Sequence, residues 1–71
     1  MKFVEFESEV LGKRVSIDVF AIIHVNEREK GTNITINAYL TDKYGSEPVC
    51  FSVTEPYDVV MERIRAAEHE V

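Results

Sequence analysis

The sequence predicts an α+β domain: an antiparallel meander sheet of four to five strands with one C-terminal helix packed on one face. Three observations carry that expectation. A strand-like run at 49–53 passes directly into an amphipathic stripe. The earlier segments alternate apolar and polar residues with period two, and the links between them are short, charged and glycine-containing. Links of that length suit antiparallel neighbours, because a parallel crossover needs a dozen residues or more. The expected strands cover residues 2–8, 14–17, 22–26, 32–41 and 49–53, and the helix covers 55–68, in a single domain of 71 residues.

In the first strand Val4 and Phe6 share one side and Glu5 and Glu7 the other, with Phe3 outside that alternation. A turn at Leu11-Gly12-Lys13 follows, and Val15 and Ile17 then alternate with Arg14 and Ser16. The stretch DVFAIIHVNE reads either as one long buried strand or as a tight turn begun by Asp18, whose carboxylate accepts backbone N–H groups, followed by a strand from Ile22. The turn is the favoured reading. NEREKGT, with Gly31, is a hairpin loop. Beyond it Ile34, Ile36, Ala38 and Leu40 form one face of a strand and are assigned to the core, opposite Asn33, Thr35, Asn37 and Tyr39. A second loop at 42–48, holding Gly45 and Pro48, releases the chain into Val49, Phe51 and Val53.

The helix has a start and a face. Thr54 is placed to cap the first turn, Pro56 fits inside that turn because its missing N–H needs no partner there, and Glu55 and Asp58 complement the positive helix end. Tyr57, Val60, Met61, Ile64 and Ala67 recur as one apolar stripe, and Asp58, Glu62, Arg63, Arg65 and Glu68 fill the remainder.

A chain this short buries only about 60% of its unfolded surface, so its core needs support from disulfides, metals or self-association. One cysteine excludes an internal disulfide, and His24, Cys50 and His69 lack ligand spacing, which leaves self-association. Thirteen Asp and Glu against eight Lys and Arg give a net charge of -5, and the cations are dispersed, so nucleic acid is not an expected partner. The N-terminal stretch holds three glutamates in nine residues and no apolar run of signal-peptide length, and no segment reaches the ~20 apolar residues of a membrane span. The expectation is a cytoplasmic protein without membrane insertion. In that setting the sequon Asn33-Ile34-Thr35 is better read as the polar face of a strand.

Candidate chemistry is sparse. The carboxylates fall on alternate strand, loop or outer helix positions, where solvation accounts for them. His24 lies between Ile23 and Val25 with no inferable partner for acid–base work, and Cys50 between Val49 and Phe51 reads as an inert packing thiol. Gly12, Gly31 and Gly45 sit singly in turns, unlike the clustered glycines of a phosphate loop. No catalytic, cofactor or metal residue is assigned, so the expectation is a protein that is not an enzyme and carries no cofactor.

The order GKRVSIDVFAIIHVNE, GTNITIN and PVCFSVTEPYDVVMERI resembles the small flagellar FlbD-like family. The matching positions are Gly12, Asp18, Ile22, Val25, Thr32, Ile34, Val53, Glu55, Val59 or Val60, and Ile64. Small phage and prophage proteins share the layout. The acidic N-terminal strand is longer than the family's, and TDKYGSEP exceeds the tight turn expected there. The resemblance implies a motility accessory factor or a phage-encoded accessory protein, and implies no catalytic residue.

The resulting expectation is a non-enzymatic interaction protein acting as a homo-oligomer, with an unidentified protein as a further partner. A small-ligand binder with a pocket at the subunit interface is the alternative. Phe3, Phe20, Ile23, His24, Tyr39 and Tyr44 are the candidate interface residues. Against an interface at Phe3 and Phe20 stands a second reading, in which both fold around the sheet edge and complete the monomer's core.

Overall fold

The computed structural model describes residues 2–69. In chain order it contains β1 (Phe3–Glu7), β2 (Arg14–Asp18), a single 3-10 turn (Val19–Ala21), β3 (Ile22–Glu27), β4 (Thr32–Asp42), β5 (Gly45–Val53) and α1 (Tyr57–Glu68). The expected α+β class is present, and every strand pairing is antiparallel.

The single meander is not. β1 and β2 form a two-stranded sheet, and β3, β4 and β5 form a second sheet of three. The break falls at Asp18, whose carboxylate accepts the Phe20 N–H at 3.0 Å and fixes the tight turn. The chain leaves that turn on a new course, so β3 pairs with β4 instead of β2. The two sheets meet where β1 ends. Ser8 makes an isolated bridge to Val53, the Glu9 N–H donates to the Ser52 carbonyl at 2.8 Å, and the Thr54 N–H donates to the Glu7 carbonyl at 3.0 Å. The two sheets keep separate orders, β2-β1 and β5-β4-β3, and touch at this corner.

The core consists of Val4, Phe6, Ile17, Val19, Ile34, Val53, Val60, Ile64 and Ala67. All but Val19 lie at positions that the strand and helix periodicities assign inward. Thr32 is fully buried among them, and its hydroxyl is satisfied by donating to the Glu55 carbonyl at 2.8 Å. The β3–β4 turn presses against this region at Gly31, where φ is +107° and a Cβ would stand 2.3 Å from the Val53 carbonyl oxygen. Only glycine fits both the conformation and the space.

Several local expectations are corrected. The helix begins at Tyr57, not 55, with Pro56 at the N-cap and no side-chain cap. The Thr54 hydroxyl turns instead toward the Glu7 and Glu55 carboxylates, at 3.5 Å from each. The expected loop at 42–48 is largely strand: β4 and β5 continue to a two-residue turn, Lys43-Tyr44, where Asp42 Oδ1 accepts the Tyr44 N–H at 2.7 Å. Leu40 and Ala38 are exposed, although Ile34, on the same expected face, is buried. Between the pairs Thr35↔Cys50 and Tyr39↔Pro48, β4 advances four residues while β5 advances two. Such a bulge bends the strand and carries its outer half away from the core.

Candidate functional site

The most strongly built polar site joins β1 to the start of α1. In β1 the Ser8 N–H donates to Lys13 and the Lys2 carbonyl accepts from Val19, so the even-numbered residues bond toward β2. The odd-numbered residues therefore present their backbone groups on the other edge. Glu55 closes that edge. Its carboxylate accepts the Glu7 N–H through both oxygens at 3.1 Å and the Arg63 guanidinium at 2.9 Å. Arg63 also donates to the Glu5 carbonyl at 3.1 Å and lies over the Phe6 ring, 5.8 Å from its centre. An open groove of about 710 Å³ runs between β1 and α1, lined by Phe3, Phe6, Glu5, Arg63, Ala66 and Ala67 among others. Its charged groups Glu55 and Arg63 bridge β1 to the helix.

The remaining arginine contacts have the same character. Arg14 pairs with Glu5 at 3.7 Å, and Arg28 pairs with Glu9 while also donating to the Val53 carbonyl at 3.3 Å. His24, Cys50 and His69 are not brought together, and no group of three metal-ligating side chains forms among the described residues. Cys50 is exposed, not packed as expected, because its strand position faces away from the core-facing Phe51 and Val53.

All six candidate interface residues are exposed. Phe20 reaches 69% exposure and Phe3 54%, so neither folds over the sheet edge to complete the core. The six do not line one common groove. Phe3 borders the groove between β1 and α1. Ile23 and His24 border a second, of about 250 Å³, with Val25, Tyr57 and Met61. Tyr39 and Tyr44 lie on the outer β4–β5 ribbon, where residues 37–48 are exposed without interruption.

That ribbon is the feature the sequence reading missed. The Tyr39↔Pro48 and Thr41↔Ser46 pairs share one face, the second joined by a hydroxyl–hydroxyl hydrogen bond of 2.9 Å. The Leu40↔Glu47 and Asp42↔Gly45 pairs share the other. Leu40 is 72% and Tyr44 85% exposed. The alternation of β4 was visible as far as residue 41, but Gly45 and Pro48 disguised its partner strand as a loop.

No helix among the described residues is long and apolar enough to cross a membrane. No family model matches the chain, and neither the curated proteins nor the solved structures contain a match to it.

Proposed function

We propose that this protein is a non-enzymatic accessory protein that acts as a homo-oligomer and presents its β4–β5 ribbon to a second protein. The observation that carries the reading is the unbroken exposure of residues 37–48 with Tyr39, Leu40 and Tyr44 among them. Amphipathic aromatics displayed on a projecting element are the groups that protein interfaces favour. A two-stranded ribbon with nothing packed on either face is marginal by itself, so an apolar contact made there on binding adds order as well as affinity. The carboxylates of Glu5, Glu9 and Glu55 are engaged with Arg14, Arg28 and Arg63, which favours a structural over a catalytic role for these groups. The likeness of GKRVSIDVF and EPYDVVMERI to FlbD-like proteins supports a bacterial motility setting, with a phage-encoded origin beside it.

Two measurements test this reading. Sedimentation equilibrium at tens of micromolar is expected to give a mass of two or more chains, and a mass of one chain refutes the homo-oligomer. Affinity purification from the native host, with wild type and with a Tyr39→Ser, Tyr44→Ser variant, is expected to retain a stoichiometric protein only on wild type. Equal retention by both removes the ribbon from the interface. A small molecule held by the oligomer in native mass spectrometry would favour the sequestering alternative instead.

A further inference from the structure

The strand edges of this fold are not equally open. The edge of β1 is closed by Glu55, Arg63 and the Thr54 N–H. On β5, Ser52 accepts from Glu9 on the side away from β4, so Cys50, Pro48 and Ser46 also present their backbone there. Pro48 has no N–H to offer, which interrupts that edge as a pairing template. The outer edge of β2 presents Arg14, Ser16 and Asp18, two of them charged.

β3 is less protected: of its outward-facing residues only Glu27 is charged, and no proline or side chain closes the edge. The Arg28 N–H donates to the Gly31 carbonyl and closes the β3–β4 turn, so Asn26 bonds toward β4 while Val25 and Glu27 face outward. Among the described residues, their N–H and C=O groups have no partner beyond the sheet. Beside this edge lies the groove bordered by Ile22, Ile23, Val25 and Met61, with Ile23 half exposed at the point where an extra residue of β3 breaks the register. An open edge and an apolar border therefore coincide on one strand.

We propose that a second copy of this chain occupies that edge, by antiparallel pairing of β3 with β3 about a two-fold axis near Val25. This rests on the homo-oligomeric reading above and locates its contact. The strand is complementary to itself in that arrangement. Val25 meets the second copy's Val25 and exchanges both backbone hydrogen bonds with it, Asn26 meets the second copy's His24, and the two Glu27 carboxylates stand at opposite ends of the pair. A parallel arrangement would instead set like charges side by side. The product is one continuous sheet of six strands, three from each copy, with a ribbon projecting from either end.

The test uses the full chain. A Val25→Pro substitution removes an N–H that faces away from β4, so it takes no hydrogen bond from the β3–β4 ladder although it trims a side chain packed against the core, and the sedimentation mass is expected to fall from two chains to one with the circular dichroism unchanged. Amide hydrogen exchange on wild type supplies the check should that variant misfold. Val25 and Glu27 are expected to exchange more slowly as protein concentration rises, while Ser46 does not change. A two-chain wild type whose Val25 amide stays unprotected, or whose Val25→Pro variant keeps its mass, overturns the β3 contact and leaves the homo-oligomer standing. A one-chain wild type overturns the underlying reading itself.

Discussion

The inner and outer halves of the β4–β5 hairpin belong to the same two strands and have opposite surroundings. At the inner end Thr32 pairs with Val53 and Ile34 with Phe51; Thr32, Ile34 and Val53 are fully buried, and Phe51 packs against the core. At the outer end Leu40 pairs with Glu47 and Thr41 with Ser46, and solvent reaches both faces. Cross-strand pairing is common to both ends, so pairing alone does not distinguish them. What differs is cover: α1 and β1 close over one end, and the bulge between Thr35 and Tyr39 directs the other beyond their reach. Stability should therefore reside in the inner half, and the outer half is free to carry a contact surface.

The sharpest way to break that comparison is to charge the covered half. Ile64 is buried in the seam between helix and sheets. An Ile64→Asp substitution places a carboxylate there at a cost of several kcal/mol, comparable to the whole stability of a small domain. The expected outcome is loss of the cooperative thermal melt. A melt close to wild type would mean that α1 does not cover the inner half.

Gly31 offers a smaller probe of the same region. Gly31→Ala adds a Cβ that meets the Val53 carbonyl at 2.3 Å and the Arg28 guanidinium at 2.7 Å, at a φ that L-residues rarely adopt. Relief requires the turn to move off β5, and the expected cost is about 2–3 kcal/mol in urea unfolding with the m-value unchanged. An effect below about 0.5 kcal/mol would show that the turn is free to shift, contrary to a tightly held inner end.

Much of this architecture is legible in the residues, and the failures have physical causes. The period-two runs at Val4 and Phe6 and around Ile34, and the helical stripe through Val60, Ile64 and Ala67, report burial directly because each faces a single core. Asp18 was readable as a turn residue for the same local reason. Which strands pair is a different matter. The contact of Ser8 and Glu9 with Val53 and Ser52 joins residues more than forty positions apart, and no local pattern encodes it. The Glu55–Arg63 clamp was likewise hidden, since Glu55 read as a charge complementing a helix end and nothing in its neighbours points to the Glu7 N–H. Leu40 misled in the opposite direction: its alternation is genuine, but alternation marks a face without stating whether anything covers it.

The smallest expected effect lies on the uncovered half, where a null result is itself informative. Leu40 carries 72% exposure on a ribbon whose faces touch no core residue. If the ribbon is maintained by its cross-strand pairs alone, then Leu40→Thr removes apolar surface that was never buried and introduces a residue with good strand propensity. Stability should change by no more than about 0.5 kcal/mol, a Tm shift of roughly 2–4 °C for a domain of this size. The amides of residues 38–47 should also exchange far faster than those of Ile34 and Val53, because local opening of the ribbon exposes little that is apolar. A loss above about 2 kcal/mol would instead place Leu40 in a buried environment in solution. Repeating the melt at two protein concentrations separates the causes: a loss confined to the higher concentration assigns Leu40 to a contact between copies, and a loss at both assigns it to the chain's own core.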